Sequence, residues 1–185
     1  MNRSDPTQER FIIDPGIPLL AVIIVSLAMA FIFSQVIDVS AGMDADLTSN
    51  ELDFLAPYDD YVVTQGLHGF SYGHMAVDLS AGKGAVIKSP VNGVVSAHYI
   101  DGLDNPTLVI ENEIYRITFL HGNYRVSVGE VLTQGQIIGT ESNLGYTTDM
   151  QGRSCAGRDC GYHTHLNVFN KLQDKNINPL DLFKP

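Results

Sequence analysis

Histidine is scarce in this 185-residue chain, with six in all, and cysteine is scarcer still, with two. Basic residues are also few: 11 Lys plus Arg stand against 21 Asp plus Glu, for a formal net charge of −10. That balance excludes a nucleic-acid binder, which needs a basic patch, and a module that grips its target through basic residues. The bulk sign otherwise speaks to solubility alone. Two cysteines make a poor zinc site by themselves. Helical periodicity is nearly absent from the C-terminal two thirds.

What is present there is a series of short runs rich in Val, Ile, Thr, Tyr and Phe, broken by Gly, Asn and Asp. Tyr61 to Thr64, Ala85 to Lys88, Val94 to Tyr99, Thr107 to Glu111, Tyr115 to Leu120 and Gln136 to Thr140 are examples. Short strands spaced by turn signals predict a compact antiparallel all-β domain. Residues 58–185 are of ordinary single-domain size.

Three of the six histidines fall in two short stretches, His74-Met-Ala-Val-Asp78 and His163-Thr-His165. A four-residue offset puts His74 and Asp78 on one face of a helix, and equally on one face of a strand. In the second stretch Thr164, Leu166 and Val168 alternate with His163, His165 and Asn167, which reads as a half-buried strand with both histidines on one side. Either pair alone is an ordinary surface or packing pattern. Together they supply two imidazoles and a carboxylate, the three-ligand count of a hydrolytic zinc site, with a spare imidazole to handle protons.

From about Val62 to Phe183 further segments recur in a fixed order. They are Thr64-Gln-Gly-Leu-His-Gly69, then His74 to Asp78, then Gly84-Ala-Val-Ile-Lys-Ser-Pro-Val-Asn-Gly-Val-Val95. Tyr115-Arg-Ile-Thr-Phe-Leu-His121, Val126 to Gly139, His163-Thr-His165 and Asn178-Pro-Leu-Asp-Leu182 follow. This ordered set resembles the lysostaphin-type (LytM-type) zinc endopeptidases, which cut peptide bonds in bacterial peptidoglycan. The resemblance implies that His74, Asp78 and His165 ligate one zinc ion, and that His121 and His163 are the catalytic histidines. His163 is expected as general base and His121 as transition-state donor, an assignment that can be exchanged. The chain departs from the family pattern at Ala76, where Gly is usual, at Thr164, where Leu is common, and at Asn167, where an acid is common. None of these removes a ligand or a catalytic histidine. The remaining histidines, His68 in a Gly-rich turn and His98 on a solvated strand, are expected to do nothing chemical, with lining the cleft or covering the metal at rest as the alternative for His68. Tyr72 and Tyr162 flank the two clusters, with packing as their default role.

Ile17 to Ile37 is almost wholly apolar over 21 residues, interrupted by Pro18, Ser26, Ser34 and Gln35. At 1.5 Å per residue that run crosses a hydrocarbon core, and it exceeds the 7–15 apolar residues of a cleaved signal peptide. Val39-Ser-Ala41 offers small residues for cleavage, yet an uncleaved anchor is the better reading. Arg3 and Arg10 precede the span and no Lys or Arg follows until Lys83, which predicts a cytoplasmic N-terminus and an extracytoplasmic domain. The expected organisation is a tail at 1–16, a transmembrane helix at 17–37, a linker at 38–57 and the zinc domain at 58–185. Thr48-Ser-Asn-Glu51 reads as a capping box for a short linker helix through Leu55. On that side of the membrane Cys155 and Cys160 are expected to close a disulfide around Ala156-Gly-Arg-Asp159; reduced thiols and a second metal site are the competing readings.

Together these features predict a membrane-anchored zinc metalloendopeptidase acting on peptidoglycan stems or cross-bridges, with no nucleic-acid partner. The alternative is a catalytically silent scaffold of the same fold that regulates another wall hydrolase or serves as a subunit of a membrane complex. A regulatory membrane-protein partner fits either. A carrier module of the biotinyl or lipoyl type matches the hairpin around Val128-Gly-Glu-Val-Leu-Thr-Gln-Gly, but lacks the Lys-centred turn and leaves the histidines unexplained.

Overall fold

The computed structural model describes residues 54–72 and 74–183. The tail, the apolar run at 17–37 and the capping box at 48–51 lie outside them. Among the described residues no helix is long and apolar enough to cross a membrane. In chain order the strands begin with β1 (Val62–His68), β2 (Ala76–Ser80), β3 (Val86–Lys88), β4 (Gly93–Ile100), β5 (Pro106–Glu111) and β6 (Tyr115–Leu120). β7 (Asn123–Tyr124), β8 (Val131–Leu132), β9 (Ile137–Thr140), β10 (Thr164–Asn170) and β11 (Lys175–Ile177) complete the set. All pairings between them are antiparallel, as the short, turn-punctuated runs predict.

The larger sheet runs in the order β1-β2-β10-β6-β5-β4-β8, with β11 paired to the far end of β10. A smaller sheet has the order β3-β9-β7. Each of the six runs read from sequence falls on a strand. β1 continues past Thr64 to His68, so that residue closes a strand rather than sitting in a turn. The helix-or-strand choice for His74 to Asp78 resolves in favour of β2.

Burial explains why β10 occupies the middle. Leu166, Val168 and Thr164 are fully enclosed, joined by Val77 and Leu79 from β2 and by Ile117 and Phe119 from β6. Each such aliphatic side chain contributes about 1.5–3 kcal/mol of burial. Asn167, expected on the solvated face, is buried as well. Its amide donates to Met75 O at 2.6 Å and to Asn176 Oδ1 at 2.8 Å, so the strand junction satisfies it. Phe54, within the range read as linker, is 1 % exposed and packs edge-on against Tyr115 with ring centroids 5.4 Å apart.

Two features fix the ends of β2. Glu141 is buried, and it accepts from the Ser80 hydroxyl at 2.7 Å and from the amides of Ala81 and Gly82 at 2.8 and 3.2 Å. A buried carboxylate is tolerated when donors surround it in this way. At the other end Gly69 takes φ +82°, and a Cβ there would meet His74 O at 2.0 Å. Glycine alone permits that approach.

Candidate metal centre

Register assembles the centre. In the β10–β2 pair His165 stands directly opposite Asp78, and in the β10–β6 pair it stands opposite Leu120, one residue before His121. Directly opposed residues have Cβ atoms about 4.5–5.5 Å apart. The central strand therefore carries one imidazole with a carboxylate on one side and a second imidazole just past the strand end on the other. Ser142 pairs with His163 across an isolated bridge, and its hydroxyl donates to His121 O. That serine ties the two histidine-bearing segments together.

The contacts are close. His165 Nδ1 donates to Asp78 Oδ1 at 2.8 Å. On its other side, His165 Nε2 lies 3.1 Å from His74 Nε2, with the two ring planes within 7° of parallel. His163 Nε2 is 3.7 Å from Asp78 Oδ2. The His121 and His163 rings lie 4.7 Å apart. All five residues singled out from the sequence thus meet in one place. His68 joins them: its Nε2 is 3.6 Å from Asp78 Oδ1, and its ring meets His165 edge-on. His98 stays apart, exposed on β4 with Nδ1 3.1 Å from Val126 O.

Hydrogen bonds set the tautomers. His121 Nδ1 is 2.9 Å from Leu144 O, and His163 Nδ1 is 2.8 Å from Gly161 O. A carbonyl accepts and cannot donate, so each Nδ1 carries the hydrogen and each neutral ring keeps its Nε2 lone pair free. His121 itself has φ +69°, an uncommon conformation for a non-glycine residue, of a kind that clusters at active sites. Sequence reading missed Ser142 and the carbonyls of Leu144 and Gly161, because backbone acceptors carry no residue signal.

Electrostatics prepare the same site. Burial, aided by the neighbouring His163, pushes His121 down to about 4. Burial and His165 also lower His74. For Asp78 burial acts upward, but the His165 hydrogen bond and the surrounding imidazoles outweigh it and hold the carboxyl below its ordinary value. These shifts favour a neutral His74 and His121 beside a charged Asp78. One ligand atom from each of His68, Asp78 and His165 lies within 4.8 Å of the others. Ligand atoms on a tetrahedral zinc, at about 2.0–2.1 Å from it, stand roughly 3.3 Å apart. The N/O donor set suits zinc; His165 faces Asp78 through Nδ1 and His74 through Nε2, so only one of those two contacts involves the atom it would offer to an ion.

The centre opens into a cleft of about 1220 Å³. Tyr99, Leu103, Tyr146 and Met150 stand exposed along it. One wall is held by the Cys155–Cys160 disulfide, with a Cα–Cα distance of 5.5 Å. Asn143 Nδ2 donates to Cys160 O at 2.9 Å, and the Tyr162 hydroxyl donates to Asp159.

This is the lysostaphin-type peptidase fold. Three solved structures carry the likeness. A zinc-containing peptidase from Vibrio cholerae superposes with a TM-score of 0.55 at 22 % identity, covering 72 % of this chain and 40 % of that one. Lysostaphin from Staphylococcus simulans gives 0.52 at 18 %, covering 71 % and 52 %. A chain of the SpoIIQ–SpoIIIAH pore-forming complex gives 0.53 at 15 %, covering 71 % and 91 %. This chain therefore spans about half or less of the length of the first two. No family model matches the sequence, and no curated protein matches it.

Proposed function

We propose that this chain is a membrane-anchored zinc metalloendopeptidase that hydrolyses peptide bonds in the stems or cross-bridges of peptidoglycan. The observation that carries the reading is the meeting of His74, Asp78 and His165 beside two histidines whose Nδ1 atoms are both bound to backbone carbonyls. His74, Asp78 and His165 hold the ion. Zinc at such a site supplies Lewis acidity and lowers the pKa of water to about 7. The apolar run at 17–37 anchors the chain, with the domain outside the cytoplasm.

His121 and His163 share one anchored tautomer, so each keeps its Nε2 lone pair free and the two assignments remain exchangeable. One of the pair takes the proton of the attacking water and the other serves the leaving amine. Positioned acid–base groups of this kind contribute about 10²–10⁴ in rate.

The scaffold reading draws on the likeness to a chain of the SpoIIQ–SpoIIIAH complex. One experiment separates the two. The full 185-residue chain is purified, its zinc measured, and its digestion of purified cell wall compared with that of His163→Ala and His165→Ala. The enzyme reading expects one zinc per chain and wall fragments released by the wild type alone. A metal-free, inert wild type transfers the proposal to the scaffold.

A further inference from the structure

His163 enters the centre at the end of residues 141–163, which lead from β9 to β10. Two isolated bridges pin that stretch, Ser142 with His163 and Thr148 with Ser154. The His163 ring is oriented at Nδ1 by the Gly161 carbonyl, 2.8 Å away. Beside that carbonyl lies the disulfide. Gly161 follows Cys160 directly and takes φ +71°, and a Cβ there would meet Cys155 Sγ at 2.9 Å. Cys155 is fully buried, and its amide donates to Thr147 O at 2.9 Å. Thr147 is buried too, and its hydroxyl donates to Asn143 O at 3.1 Å. The S–S bond therefore passes the placement of a buried, hydrogen-bonded anchor to the residue just before Gly161. Asn143 adds a second hold, its Nδ2 donating to Arg158 O and Cys160 O, both at 2.9 Å.

We propose that Cys155 and Cys160 are a positioning pair for His163: their disulfide fixes the Gly161 carbonyl that keeps the imidazole hydrogen on Nδ1 and leaves Nε2 facing the centre. This rests on the enzyme reading above and identifies what one of its two proton-handling histidines depends on. Whichever proton role His163 has, the ring must present Nε2, and an acceptor at Nδ1 secures both tautomer and angle. His121 is held in the same way by Leu144 O, but Leu144 lies outside the disulfide loop. Opening the bond therefore separates the two histidines. The loop is short, with a sequence separation of 5, and short loops give little entropic stabilisation. Ala156, Gly157, Arg158 and Asp159 within it are exposed, and the core built on β2, β6 and β10 lies elsewhere. Loss of the bond frees the carbonyl without unfolding the domain.

The test compares three forms of the full-length chain: oxidised wild type, wild type opened by a water-soluble phosphine, and Cys155→Ala with Cys160→Ala. In the opening step the phosphine is oxidised to its oxide with oxygen from water, and each sulfur becomes a thiol. The double variant removes the thiols, so that neither can capture zinc. The proposal expects both opened forms to keep one zinc per chain while kcat on a wall peptide falls about 10–100-fold and KM changes little. In nitrogen–proton correlation spectra of the histidine rings, His163 should lose its fixed Nδ1–H form while His121 keeps it. An unchanged kcat and an unchanged His163 tautomer overturn the inference and leave the enzyme reading standing. A lower kcat with the His163 tautomer intact overturns the route through Gly161. Loss of the fixed form at both histidines makes the bond a general staple and overturns the inference as well. A wild type inert on wall overturns the reading beneath and the catalytic consequence with it, even where the His163 tautomer follows the disulfide.

Discussion

His165 and Asp78 face each other directly across two hydrogen-bonded strands, and their side chains close the gap to 2.8 Å. Neither the contact nor its strength depends on a loop. Replacing Asp78 by Asn keeps size and shape but removes the charge that a cation needs. We expect zinc affinity to fall by at least about 100-fold, measured by competition with a chelating dye. The circular dichroism spectrum should remain that of the wild type.

His121 acts on protons and not on the metal. His121→Ala should therefore retain one zinc per chain while kcat on a wall peptide falls about 10²–10⁴-fold. Zinc lost in step with activity would instead make His121 part of the ligand set.

Gly69 is where backbone geometry reaches the centre. A methyl at this position meets His74 O at 2.0 Å and must adopt φ near +82°. Gly69→Ala should cost about 1–3 kcal/mol by denaturant unfolding, and should weaken zinc binding because His74 is pushed aside. The open Gly66 offers the control: Gly66→Ala meets nothing within 4 Å and should leave stability within about 1 kcal/mol.

Glu111 gives a pH signature away from the centre. Burial acts to raise it, but Lys171 at 3.0 Å and Arg116 at 3.0 Å outweigh burial and hold it below its ordinary value. A carboxyl depressed in the folded state stabilises above its unfolded value of about 4.3, and loses that contribution as pH falls through the lower folded value. Glu111→Gln should therefore lower stability at pH 7 by no more than about 1 kcal/mol, since the cluster is partly exposed. The gap to wild type should close on acidification below about pH 4, as followed by thermal melts.

The fold was legible where side chains alternate or β-branched runs are dense. β5 and β6 match Thr107 to Glu111 and Tyr115 to Leu120 almost residue for residue. β2 was ambiguous because a four-residue spacing serves helix and strand alike. β7, β8 and β11, at two or three residues each, are too short to leave a pattern. In the centre, His74, Asp78, His163 and His165 were legible as residue types at fixed spacing, and His121 through the resemblance of its strand. His68 was legible only as a neighbour of the first pair, because its place beside Asp78 and His165 depends on β1 running four residues past Thr64. Ser142 and the carbonyls of Leu144 and Gly161 act through tertiary placement, to which a linear chain gives no clue.

The centre draws its parts from two kinds of support. His165 belongs to a strand hydrogen-bonded along both sides, whose amides should be among the slowest in the molecule to exchange with heavy water, whereas His68 hangs from a sheet border that frays readily. Local opening at that border can therefore run on a faster clock than global unfolding, so amide exchange along β1 should run well ahead of exchange along β10.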